Sequence, residues 1–196
     1  QIMETYSETD DPDKKTLSLI THVELEKASC HDSAALIPAV EKAASMDMKP
    51  EKLLADSAYG SDENINQAAI LNVEVISPAM GKEKAGEIVL SDFSFDAEGH
   101  VEYCPAGHST EKTKLKEERF SQGFCSTTCS NCPILEKCPV KKGGKHHYLR
   151  YSAKEMRLAR RRQNEKIDQF RDQYRWRAGV EATMSKLDRK TGIKKL

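Results

Sequence analysis

A mixed α/β fold, with helices on the faces of a sheet, is the class the sequence predicts. Three observations carry it: an alternating pair of segments at the start, two helical periods each followed by a short apolar run, and a long helical stretch at the end. Residues 1–8 (QIMETYSE) and 16–27 (TLSLITHVELEK) alternate as strands do, and the polar TDDPDKK between them is a turn, so an antiparallel hairpin is expected. In the next helix Asp32 is the expected N-cap, and Leu36, Ile37, Val40 and Ala44 recur at helical spacing. Leu53-Leu54-Ala55 then reads as a buried strand ending at Asp56, before Ser57-Ala58-Tyr59-Gly60. Ser61 is placed to cap a helix from Asp62 to about Leu71, and Val73 to Ile76 forms another strand, closed by Pro78 and Gly81.

Residues 82–150 change character. Lys, Gly, Cys and Thr replace the regular apolar periods, so the segment is expected to be an inserted subdomain between a first part (1–81) and a helical remainder (151–196) of one core. From Ala153 the helical pattern runs through Asp188 with Gly179 as its one breaker, and Thr191-Gly192 supplies the stop. No apolar run is long enough to span a membrane. The chain opens on Gln1-Ile2 with no signal-like segment, which leads us to expect a fragment.

The net charge of zero conceals an asymmetry. Residues 1–100 hold 8 Lys+Arg against 20 Asp+Glu, whereas residues 101–196 hold 23 against 11, giving −12 and +12. A basic half suits a polyanionic partner, and an acidic half suits metal binding; two ordinary solvated faces are the plain alternative.

Two groups of residues carry candidate chemistry. Asp56, at a strand end, stands where open α/β sheets place ligand-binding groups, although carboxylates there also serve turns and caps. Tyr174, Arg177 and Glu181, spaced by three and four, fall on one helical face, with Val180, Met184 and Leu187 free to pack inward; Arg177 and Glu181 alone would make an ordinary i,i+4 pair. The cysteines form a separate cluster, Cys104, Cys125, Cys129, Cys132 and Cys138, whose short spacing favours metal over disulfide; buried thiols are the alternative. Cys30 stands apart and is expected to pack. Lys141, Lys142, Lys145 and Arg150, with Arg157, Arg160, Arg161 and Arg162, are expected contacts to a nucleic-acid backbone or else a solvated face.

QIMETY, the turn before SCHDSAAL, LLADSAYGSDENI, EYCPAG, CSNCPILEKC and YRWRAGVEATMSKL occur in the order of one pattern. Through them the chain resembles the insertion-sequence DDE transposases with an RNase H-like catalytic domain, over nearly its whole length. The resemblance implies that Asp56 is the second metal-binding carboxylate and Glu181 the third, with Tyr174 and Arg177 accompanying that Glu. It places the first Asp on a strand before the hairpin, a segment that would precede Gln1, so residues 1–196 alone are expected to be inactive. Two Mg²⁺ ions held by oxygen ligands would serve cleavage and strand transfer on double-stranded DNA, at transposon ends and target. It further implies structural Zn²⁺ on Cys104, Cys129, Cys132 and Cys138, leaving Cys125 spare and His108 as the substitute ligand. A cytoplasmic location and a homo-oligomeric active form go with it. One departure is Asp188, where the pattern has Lys; Lys186, Arg189 and Lys190 are near enough to replace it. The competing expectation is a non-catalytic, zinc-containing DNA-binding or interaction module, a decayed transposase remnant.

Overall fold

The computed structural model describes residues 1–25, 27 and 29–192, and the fold is α/β. Glu26 in the second expected strand and residues 193–196 of the expected helical remainder lie outside the described residues. The chain forms two compact units, one of residues 1–80 with 165–196 and the other of residues 81–164.

The first unit opens with the hairpin. Strand β1 (Ile2–Glu4) pairs antiparallel with β2 (Ile20–Val23), Ile2 opposite Val23 and Met3 opposite His22, with the register slipping between Met3 and Glu4. Both strands are shorter than the alternation predicted, because residues 6–16 hold a side-chain-bonded turn in which Ser7 and Thr16 hydroxyls meet at 2.6 Å and Asp11 caps a single 3-10 turn. A second 3-10 turn, Asp32–Ala35, leads into helix α1 (Leu36–Ser45). Asp32 is not the N-cap: it sits inside the first turn, and His31 takes the cap position without a side-chain hydrogen bond. Leu36 and Val40 are buried and Ile37 packs against the core as their spacing placed them, whereas Ala44 faces out and Ala43 is buried in its stead.

Strand β3 (Lys52–Leu54) and strand β4 (Glu74–Ile76) are parallel and in register, Leu53 opposite Val75, with helix α2 (Asp62–Ile70) as the crossover between them. Ser61 caps α2 as its sequence position predicts, its hydroxyl accepting from the Asn64 amide at 3.1 Å. Leu36, Val40, Ala55, Ala68 and Val73 form this unit's core. Among the described residues the two ladders stay separate two-stranded sheets, where one mixed sheet was expected. A cavity of about 980 Å³, lined by residues of β1 and of β3, lies in this unit.

The unit is completed by helix α5 (Asp168–Tyr174), a 3-10 turn at Arg175–Arg177 and helix α6 (Ala178–Thr191), numbered here after α3 and α4 of the second unit. Gly192 ends α6 in the left-handed conformation at φ 67°, which a residue without Cβ adopts at no steric cost. Helix α6 packs on β1.

The second unit is built on strands β5 (Ser94–Phe95) and β6 (Val101–Tyr103), then on a three-stranded antiparallel sheet of β7 (Lys112–Lys116), β8 (Arg119–Cys125) and β9 (His146–Ser152). The short α3 (Ser126–Ser130) follows β8, and α4 (Ala153–Glu165) follows β9. Except for its last residue, α4 lies in the second unit, although the helical pattern after residue 150 suggested it would belong with the carboxylate-bearing helix. The reason is visible in its contacts: Gln163 donates to the Ser91 and Phe93 carbonyls at 3.0 and 2.8 Å, and Arg160 donates to the Asp96 and Ala97 carbonyls. Arg160 also lies over the Phe95 ring, and Arg162 pairs with Glu83 at 3.2 Å. These two arginines, expected as backbone contacts to DNA, tie α4 to its own unit. Phe93, Val101, Phe120, Phe124, Leu149, Tyr151 and Met156 make the core, with Phe120 and Tyr151 stacked at 5.0 Å. The buried Tyr151 hydroxyl donates to the Gly99 carbonyl at 2.9 Å and accepts from the Val101 amide at 3.0 Å, so its burial leaves no polar atom unpaired.

Candidate active site

Asp56 is fixed by its backbone before its side chain does anything. The Ala55 amide continues the parallel ladder to the Ile76 carbonyl at 3.0 Å, and the Asp56 carbonyl accepts from the Ser77 hydroxyl at 2.8 Å and the Tyr59 amide at 3.0 Å. The turn that follows is held by Asn64, whose amide donates to the Ser33 and Tyr59 carbonyls at 2.7 and 2.8 Å. Asn64 is buried, and sequence reading passed over it because a polar residue in the first turn of an amphipathic helix looks solvated. With both neighbours anchored, the Asp56 carboxylate projects from the end of β3, half exposed.

Arg177 meets it there. Its guanidinium donates from Nη2 to Asp56 Oδ2 at 2.5 Å and from Nη1 to Glu181 Oε1 at 2.7 Å. The i,i+4 pair that spacing alone offered is therefore present, and the same Arg joins it to a carboxylate 121 positions earlier. The arginine side chain is mostly buried and the Glu181 carboxylate mostly exposed. Burial works against the charge of Arg177, but the hydrogen bond to Glu181 and the negative charges of Asp56 and Glu181 outweigh it and raise its pKa further. Tyr174 belongs to the same cluster. Burial pushes its phenol up, Arg177 partly offsets this, and Asp56, Glu181 and Glu165 add to the rise, so it is protonated at neutral pH. Its ring stacks on Phe170 at 5.6 Å. All four residues singled out in the sequence are thus brought together in the first unit.

What this arrangement can do follows from its donors. The carboxylates of Asp56 and Glu181 converge on one guanidinium, and oxygen donors of this kind are those a hard divalent ion takes. Among the described residues, no three His, Cys, Asp or Glu side chains gather so as to hold a metal ion. The site supplies two acidic ligands, a neighbouring phenol and a buried arginine. Val180 and Met184 of α6 line the cavity with Asp56 and Arg177, so the site opens onto it.

The cysteines gather in the second unit. Cys104 and Gly107 close one tight turn, the Gly107 amide donating to the Cys104 carbonyl at 2.8 Å, and Cys129 and Cys132 close another at 3.1 Å. Burial, reinforced by Cys138, Cys104, Cys132 and Cys125, pushes the Cys129 thiol up to about 11. Burial raises Cys138 as well, with Cys104 and Cys132 contributing. Cys129 and Cys138 thus feel the charge of the other expected zinc ligands, although the four are not closed on a common point. Cys125 is held differently, its pKa lowered by hydrogen bonds from Thr128 and Thr127. Cys30 is exposed rather than packed.

Residues 103–196 match the family model described as Transposase DDE domain, a stretch that contains the cysteine cluster, Tyr174, Arg177 and Glu181. No curated protein and no solved structure matches the chain.

Proposed function

We propose that the protein, whose residues 103–196 match the transposase DDE domain family model, catalyses metal-dependent DNA strand cleavage and strand transfer at transposon ends. The observation that carries the reading is the convergence of Asp56 and Glu181 on one cation, from a strand end and a helix far apart in sequence. A surface ion pair of helical spacing needs no third partner, whereas a catalytic pair must be assembled by the fold.

In this reading Asp56 and Glu181 would hold Mg²⁺, which when bound would supply charge for activating a hydroxyl and stabilising the leaving oxygen at a phosphodiester. Tyr174 and Arg177 face the scissile phosphate, the phenol as a neutral donor and the guanidinium as a fixed positive charge. A third carboxylate is required. In this reading it would arrive on a further strand at the cavity that β1 and β3 help to line, with Ile2, Leu53, Leu54 and Val180 among its lining. Such a strand would join the two ladders into the single mixed sheet of an RNase H-like core, with residues 82–150 as its insertion. Zinc on Cys104, Cys129, Cys132 and Cys138 would cross-link that insertion structurally, and a homo-oligomer acting on cytoplasmic double-stranded DNA completes the reading. No described helix is long and apolar enough to cross a membrane.

The second reading, a non-catalytic DNA-binding module, is favoured by one observation: among the described residues no third carboxylate joins Asp56 and Glu181. The two separate on Glu181→Gln in the full-length protein that carries these residues. As a metal ligand, Glu181 is needed for Mg²⁺-dependent cleavage of duplex DNA, while binding, carried by Lys and Arg, survives its loss. As an i,i+4 partner alone, its loss costs about 0.3–0.5 kcal/mol of stability and cleavage continues. Cleavage retained by the Gln variant, or never seen in the unaltered protein, rejects the catalytic reading.

A further inference from the structure

The register of the three-stranded sheet sorts its side chains. Lys112 lies opposite Gly123, which lies opposite Tyr148; Lys114 lies opposite Ser121, which lies opposite Arg150; Lys116, Arg119 and Ser152 form the next row. Paired residues share a face. The other face, with Phe120, Gln122, Phe124, Leu149 and Tyr151, is buried in the core. An isolated bridge between Lys141 and Tyr148 adds a further lysine beyond β9 on the same side.

From this placement, and resting on the proposed function for the identity of the nucleic acid, we propose that the exposed face of this sheet docks the phosphate backbone of duplex DNA through Lys112, Lys114, Arg119, Lys141 and Arg150. Charge complementarity selects the occupant. These five cations share one face, and among the described residues none of them is in an ion pair. The acidic residues lie at its ends: Glu117, in the β7–β8 turn, pairs with Lys116 at 3.8 Å, Glu155 caps Ser152, and Glu111 pairs with His146 at 3.2 Å.

The middle of the face is flat. A Cβ on Gly123 would stand 3.2 Å from both Lys112 Cβ and the Tyr148 ring, so the ring lies across the strand where a larger residue would lift it. Arg150 rests over the same ring at 5.7 Å. Lysines two apart on a strand repeat at about 6.8 Å, so Lys112 and Lys114 reach separate phosphates of one backbone rather than crowding on a single one. Sequence reading found Arg150 and Lys141 but not the β7 lysines, because only the pairing register brings Lys112 and Lys114 to the same side.

The test is a salt titration of duplex DNA binding, read by fluorescence anisotropy, for the unaltered chain and for Lys112→Gln/Lys114→Gln/Arg150→Gln. Each lost phosphate contact reduces the slope of log affinity against log salt by about 0.9, so the triple variant is expected to lose about 2.7 from its slope. A charge-matched variant, Lys15→Gln/Lys42→Gln/Lys137→Gln, is expected to keep the slope. Circular dichroism of all three proteins checks that the fold is retained; the altered side chains of the face variant are exposed and a second triple, Lys112→Gln/Arg119→Gln/Lys141→Gln, must give the same loss. An unchanged slope in both face variants, or an equal loss in the control, overturns the docking face and leaves the transposase reading standing. Failure of the unaltered chain to bind duplex DNA overturns both, and tighter binding of an RNA duplex of the same length overturns DNA as the occupant.

Discussion

The Asp56 carboxylate accepts a hydrogen bond from Arg177 at 2.5 Å, and the other terminal nitrogen of the same guanidinium is engaged by Glu181. A cation already sits where the catalytic reading would put a metal, so the two must compete. Mn²⁺ binding, followed by the loss of its free electron paramagnetic resonance signal, is expected to be about tenfold tighter in Arg177→Gln, a factor worth about 1.4 kcal/mol. If Arg177 serves instead to orient the two carboxylates for the metal, the variant binds more weakly.

Asn64 offers a separate test of what holds Asp56 in place. Its amide satisfies the Ser33 and Tyr59 carbonyls from a buried position. Asn64→Leu leaves both without that donor, at a cost of about 1–3 kcal/mol for each that stays unsatisfied. Trp176, the only tryptophan, lies in the first unit, so urea unfolding followed by its fluorescence reports that unit alone. Asn64→Asp is expected to be at least as damaging, because it replaces a donor with an acceptor facing two carbonyls.

Much of the first unit was legible in the sequence, and the failures share a cause. The hairpin, the Ser61 cap, the two short strands and the one-face spacing of Tyr174, Arg177 and Glu181 are all local, set by periodicity within ten or so residues. Asn64 was missed because one of the carbonyls it serves, that of Ser33, lies 31 residues away. Assignment of α4 to the second unit was missed for the same reason: Gln163 and Arg160 reach back some seventy residues for carbonyl partners, which no pattern around them announces. The bridge from Arg177 to Asp56 was anticipated only as a grouping implied by resemblance; the guanidinium between the two acids was not.

Zinc, if present, is expected at one ion per chain in protein purified under reducing conditions. Four thiolates leave no open position for water, so the ion would be structural. Cys129→Ser should then unfold the second unit, as followed by near-ultraviolet circular dichroism of its Phe120 and Tyr151 cluster, whereas Cys30→Ser should change nothing. A metal-free protein with that unit cooperatively folded rejects the assignment.

Alkaline pH supplies a further measurement. Burial, with Glu8 and Glu74 adding to it, pushes the Tyr6 phenol up to about 12. Its unfolded value lies near 10. The folded chain therefore keeps a proton that the unfolded chain gives up, and the stability this confers is complete below about pH 10 and is lost as pH rises through 12. In Tyr6→Phe this contribution is absent, so the fall of the urea midpoint between pH 10 and 12 is expected to be shallower than in the unaltered protein. Equal slopes in the two proteins would exclude Tyr6 as a source.

The first unit is discontinuous, residues 1–80 being completed by 165–196. On a ribosome this imposes a wait. Asp56 emerges 121 residues before Arg177, an interval of roughly 6–24 s at ordinary elongation rates of about 5–20 residues per second. The second unit is contiguous and has its partners within its own span, so it can fold while the first remains incomplete. In doing so it gathers the intervening chain, shortening the loop that the last helices must close. Until then Val180 and Met184 of α6, which line the cavity with residues of β1 and β3, are missing from it.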